Sequence, residues 1–126
     1  MKESPVFADF KKAVTRLKES MSKEKTIERR DSALMRFQLS FDTGIKSIKE
    51  YLKSQGKECY VAKQCLRSAF QIGLIEHDSS WLEMVDDRNE IIHSYNEEVA
   101  EYIYSKLNQY LVLFNKLIEN LEKAEV

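Results

Sequence analysis

The sequence predicts an all-α protein, an antiparallel up-and-down bundle of four to five helices. Apolar residues recur at spacings of three, four and seven over most of the chain, the repeat of a helix with one buried stripe. Glycine and proline are confined to Gly44, Gly56, Gly73 and Pro5, too few to punctuate a set of strands. A third of the residues are charged, which suits long helices with solvated outer faces.

Ser4-Pro5 reads as a cap followed by a first-turn proline, and Phe7, Phe10, Val14, Leu17 and Met21 continue the stripe. Helix one is therefore expected over about residues 5–22. Ser22-Lys23-Glu24-Lys25 makes a short polar connection. Ile27, Leu34, Phe37, Phe41, Ile45, Ile48 and Leu52 then mark the long second helix, ending at Ser54-Gln55-Gly56 with Gly56 as terminating residue. A short third helix is expected from Val61-Ala62 through Cys65, Leu66, Ala69 and Phe70 to a stop at Gly73. Asp78-Ser79-Ser80 starts the fourth, with a capping-box spacing between Ser80 and Glu83 and an apolar face of Trp81, Leu82, Val85 and Ile92. The fifth, about 97–122, carries Val99, Ile103, Leu107, Tyr110, Phe114, Leu117 and Leu121. Short connections favour antiparallel neighbours, with the third helix across or beyond one end.

At 126 residues the whole chain, 1–126, reads as one domain. The net charge of −1 does not announce a nucleic-acid binder, so any RNA contact must come from a local patch or from two chains together. No leader-like run follows Met1, and no stretch is long and apolar enough to span a bilayer. A soluble cytoplasmic protein is the expectation, without membrane contact. Cys59 and Cys65 lack a second pair or a histidine at metal spacing, and are expected as partly buried free thiols; no metal or cofactor is called for. The outward aromatics Tyr51, Tyr102 and Tyr104 are consistent with a dimer face.

Polar chemistry gathers in Asp86-Asp87-Arg88-Asn89-Glu90-Ile91-Ile92-His93-Ser94-Tyr95-Asn96, which contains R-x-x-x-x-H-x-Y. A permanent cation, an imidazole and a phenol within eight residues suit a phosphate ester. On one helix Asn89 and His93 share a face, whereas Arg88 and His93 lie about 140° apart. The two come together only if the helix ends near His93. Ser94 to Asn96 supplies such an end, since Asn96 is a good cap for a new helix whose first turn holds Glu97 and Glu98. Alternative roles remain open: Arg88 paired with Asp86, Asp87, Glu83 or Glu90, His93 as a cation at a helix C-terminus, and Tyr95 as a packed tyrosine. His77 reads as a solvated turn residue, and Lys11-Lys12 and Arg29-Arg30 as solvated faces, with Arg29, Arg30 or Arg36 as candidate RNA contacts.

Several blocks resemble the HepT family of HEPN-domain proteins, also described as substrate-binding subunits of two-component minimal nucleotidyltransferases. They are Asp31-Ser32-Ala33-Leu34-Met35-Arg36-Phe37, then Leu66 through Ile75 with Trp81-Leu82-Glu83-Met84, and Asp87-Arg88-Asn89 through His93-Ser94-Tyr95-Asn96-Glu97-Glu98. Phe37-Gln38-Leu39 and Asp42-Thr43-Gly44-Ile45 depart from the family's more acidic and aromatic long helix, which bears on its partner or dimer surface. The resemblance implies a homodimer bound to a cognate minimal nucleotidyltransferase. It implies metal-independent RNA cleavage by Arg88 and His93, supported by Asn89 and Asp87, with Arg36 as a candidate RNA contact. It further implies a type II toxin silenced when the partner places AMP on Tyr95. A non-catalytic subunit presenting nucleotide or substrate to the transferase is the alternative, and a purely structural dimer the third possibility.

Overall fold

The computed structural model describes residues 3–124. Five helices follow in order: α1 (Pro5–Met21), α2 (Ile27–Ser54), α3 (Ala62–Gln71), α4 (Ser80–His93) and α5 (Glu97–Lys123), with no strand among the described residues. The expected fold class holds, and each boundary has a local cause. The Ser4 and Thr26 hydroxyls accept from the Phe7 and Arg29 amides at 3.1 and 3.0 Å, and the Asn96 side chain accepts from Val99 at 2.9 Å. Gly56 and Gly73 end α2 and α3 with φ of +78° and +80°, where a side chain would be strained.

Cross-helix contacts set the directions. Asp42 and Asp31 of α2 meet Arg88 and Tyr95, so α4 runs antiparallel to α2. Arg30 and Phe37 meet Glu97 and Tyr110, so α5 runs parallel to α2 as its diagonal neighbour. Lys11 pairs with Glu122 at 3.5 Å, which sets α1 antiparallel to α5. The centre is aromatic: Phe37 stacks on Tyr110 with ring centres 5.5 Å apart, and Phe114 takes Phe10 and Trp81 edge-on. Gly44 admits α1 to this centre, because a Cβ there would lie 2.9 Å from the Phe10 ring. The short α3 packs on α2 and α4 at one end of the bundle.

Four expectations require correction. Cys59 and Cys65 are disulfide-bonded, with Cα atoms 5.2 Å apart. On one continuous helix a six-residue spacing would separate them by about 9 Å. Cys59 instead lies in the non-helical segment before α3 and folds back onto Cys65. On α4 the buried isoleucine is Ile91, whereas Ile92 is half exposed. The capping box is also absent: Ser80 is the first helical residue, and its amide is capped by the Asp78 carboxylate at 2.8 Å. Of the three tyrosines expected to face outward, only Tyr102 is exposed, while Tyr51 and Tyr104 lean on the core.

Candidate functional site

Two residues of the sequence motif, Arg88 and Tyr95, reach α2 from α4 and the turn after it, whereas His93, on a helix that continues through it, lies about 140° around the axis from Arg88. Arg88 projects from α4 toward the middle of α2, where its Nη2 lies 3.1 Å from an Asp42 carboxylate oxygen. Its Nη1 donates to the side-chain oxygen of Asn89 at 3.2 Å, while its Nε is buried without a hydrogen-bond partner. Asp42, not Asp86, Asp87, Glu83 or Glu90, thus neutralises Arg88. Beside this pair opens a groove of about 340 Å³ lined by Phe41, Asp42, Ile45, Lys46, Lys49, Ala62 and Arg88. Three cations, Lys46, Lys49 and Arg88, line it with one carboxylate, Asp42, a local surplus of positive charge.

His93 is the last residue of α4 and is exposed. Tyr95 stands two residues further, in the three-residue turn before α5, and is 47% exposed. Its hydroxyl donates to the Asp31 carboxylate at the start of α2. Asp31 and Asp42 are eleven positions apart, about 16 Å along the helix axis, so within one chain the Arg88 and Tyr95 groups do not converge. Between these two anchored ends, Met35 and Leu39 on α2 share a face with Asp31 and Asp42. Met35 is 60% exposed, Leu39 51% and the neighbouring Ile92 50%. The edge between Arg88 and Tyr95 therefore carries an apolar strip bounded by two ion-paired or hydrogen-bonded ends.

Beneath Tyr95 lies a group that sequence reasoning placed on the surface. Arg30 is 1% exposed, and its fork donates to Asp31 at 3.1 and 2.9 Å, to both oxygens of Glu97 at 2.7 and 2.8 Å, and to Glu101 at 2.8 Å. Lys25 also bonds Glu101. Arg30 holds Glu97 below the usual carboxylate range, and Arg30 and then Lys25 do so for Glu101. The Tyr95 hydroxyl, followed by Arg30, lowers Asp31, and the Asp31 carboxylate in turn raises the Tyr95 phenol. One signal for this cluster was legible. Arg30 sits four residues before Leu34 and seven before Phe37, on the buried stripe of α2, while Glu97 and Glu101 are one turn apart on α5.

The remaining candidates lie elsewhere. Asp87 is buried on the α5 side of α4, where it accepts from the Tyr110 hydroxyl and lies 3.4 Å from Lys106. Burial first, then this carboxylate, raises the Tyr110 phenol. For Lys106 burial works against the charge, but the Tyr110 and Tyr102 hydroxyls and Asp87 outweigh it and raise its pKa. Arg36 lies on another face of α2, its Nη1 donating to the Arg16 carbonyl at 2.9 Å and the Ser20 hydroxyl at 2.7 Å of α1. Among the described residues no cluster of three metal-ligating side chains occurs, and no helix is long and apolar enough to cross a membrane.

The chain is thus an all-helical bundle with Arg88 on α4, His93 as the last residue of that helix and Tyr95 in the turn that follows. Residues 6–123 match the family model described as nucleotidyltransferase substrate binding protein like, and the chain belongs to that family. It is 28% identical over 96 residues to a Haemophilus influenzae protein named probable ribonuclease HepT, a match covering 72% of this chain and 66%, just under two thirds, of that relative. A crystal structure from Thermus thermophilus superposes with a TM-score of 0.84 at 31% identity, covering 90% of this chain and 99% of that one. A Haemophilus influenzae structure, described as revealing the fold of a substrate binding domain of a nucleotidyltransferase, gives 0.81 at 22% identity over 93% and 99%. This last likeness bears on the fold.

Proposed function

We propose that the chain is the toxin of a type II toxin–antitoxin pair: a cytoplasmic homodimer that cleaves RNA without metal and is silenced when a cognate minimal nucleotidyltransferase transfers AMP to Tyr95. The observation that carries this reading is the cationic groove at Arg88, on the helix that ends at His93. A groove with a surplus of two positive charges surrounds Arg88, and an exposed His93 and Tyr95 stand at the end of the same helix.

Metal-free cleavage needs a group to take the ribose 2′-hydroxyl proton, one to protonate the leaving oxygen, and a cation at the phosphorane. Arg88 supplies the cation and His93 one proton-transfer group. A second His93 comes with a second chain. The exposed strip of Met35, Leu39 and Ile92 beside the motif supports pairing along this edge, which brings together groups that one chain keeps apart. AMP on Tyr95 then places bulk and negative charge at the cleft, blocking a polyanionic substrate. Asn89 supports the site by holding Arg88.

Intact-mass and peptide mapping of the chain co-expressed with its nucleotidyltransferase tests the silencing step. Whole adenylyl additions confined to Tyr95, accompanied by loss of RNA cleavage, are expected; additions elsewhere, or none, contradict it. The engagement of Arg88 by Asp42 favours a second reading, a non-catalytic subunit that presents nucleotide or substrate to the transferase. In that case RNA stays intact, and nucleotide raises the melting temperature only of the complex.

A further inference from the structure

We propose that Asp31 is the base for nucleotidyl transfer to Tyr95, so that the acceptor chain carries the proton acceptor for its own modification. The inference rests on the reading of Tyr95 as the AMP acceptor and extends it to a residue outside the R-x-x-x-x-H-x-Y motif. Asp31 accepts the Tyr95 hydroxyl proton directly, which is the geometry a general base needs before reaction begins. Its carboxylate is fixed by two bonds from the fork of Arg30, at 3.1 and 2.9 Å. Arg30 is in turn immobilised by Glu97 and Glu101 of α5. The phenol is thus oriented by a chain of contacts running into the bundle, while its ring stays open to solvent and to an incoming nucleotide.

The charge count suits the role. Lys25 and Arg30 face Asp31, Glu97 and Glu101, two cations against three carboxylates. The cluster keeps one uncompensated negative charge, which a transferred proton neutralises. In the step, Tyr95 Oη attacks the α-phosphorus of a nucleoside triphosphate held by the transferase. The Oη–P bond forms, the bond from that phosphorus to the β-phosphate bridging oxygen breaks, pyrophosphate leaves, and the phenolic proton passes to the Asp31 carboxylate. Asp31 need not be a strong base, since the phenolic proton becomes acidic only as the bond to phosphorus forms. The proton is then lost to water, which restores the carboxylate.

Asp31→Asn tests this, because it retains an oxygen that accepts from Tyr95 but takes no proton. With the cognate transferase, ATP and magnesium, the rate of adenylyl addition at Tyr95 is expected to fall by about a hundredfold or more. Asp31→Glu should give an intermediate rate. A second readout needs the chain alone: the Tyr95 phenol, followed by NMR of ¹³Cζ-labelled tyrosine and assigned with Tyr95→Phe, should ionise at lower pH in Asp31→Asn than in wild type. That titration reports the direct contact of carboxylate and phenol that the proton transfer requires, and the rate, with its partial rescue in Asp31→Glu, reports the transfer itself. An Asp31→Asn rate within about threefold of wild type, with wild type modified at Tyr95, overturns the inference alone. An unmoved titration overturns it as well. Wild type that takes no AMP at Tyr95 removes both the inference and the reading beneath it.

Discussion

Replacing Arg30 is the sharpest test of how the Tyr95 end is built. Its side chain is 1% exposed and makes five hydrogen bonds to three carboxylates. Removing one partner of a buried ion pair costs about 3–5 kcal/mol where the orphaned charge stays buried. Here Asp31, Glu97 and Glu101 remain about half or more exposed, so water rehydrates them and the expected loss is smaller. For Arg30→Ala that leaves about 2–3 kcal/mol, including the void at a fully buried position. For a domain of this size about 4 °C accompanies each kcal/mol, which places the drop in Tm at roughly 8–12 °C by calorimetry or circular dichroism. Arg30→Lys keeps the charge but not the fork, and should recover about half of the loss. A fall of less than about 2 °C in Arg30→Ala would refute the assignment of Arg30 as the clamp between α2 and α5.

The same cluster sets an acid limit. Asp31, Glu97 and Glu101 all have folded-state pKa values below their ordinary ones, so their contribution is fully present above the unfolded value of about 4 and is lost as pH falls through the folded values. Tm measured against pH should therefore decline below about pH 4 in wild type, and less steeply in Arg30→Met. At the other end of the motif, Asp42→Asn removes the carboxylate that neutralises Arg88 and leaves three cations in the groove. RNA binding should tighten about two- to tenfold at low salt, an advantage that shrinks as salt rises; fluorescence anisotropy with a short RNA measures both.

Helix order and limits were legible because apolar stripes and capping residues are local signals: Pro5, Gly56, Gly73 and Asn96 each act where the sequence places them. What escaped depended on tertiary contact. Ile91 and Ile92 are adjacent and equally apolar, and only the approach of α5 and α2 to α4 decides which one is buried. Arg30 looked solvated beside Arg29, although its register on α2 coincides with Leu34 and Phe37. The Cys59–Cys65 bond depends on where α3 begins, a boundary that spacing alone leaves loose by several residues. The motif was visible as a string of residue types, but the partners Asp42 and Asp31 come from another helix, more than forty residues away. No periodicity within the motif encodes them.

The measurement that bears most directly on the proposed function is RNA degradation by the purified, unmodified chain in excess EDTA, comparing wild type with His93→Ala. Wild type is expected to degrade RNA without divalent metal, and His93→Ala, folded to the same Tm, to lose about a hundredfold or more of that rate. RNA left intact by wild type, or degraded equally by both proteins, would contradict that function.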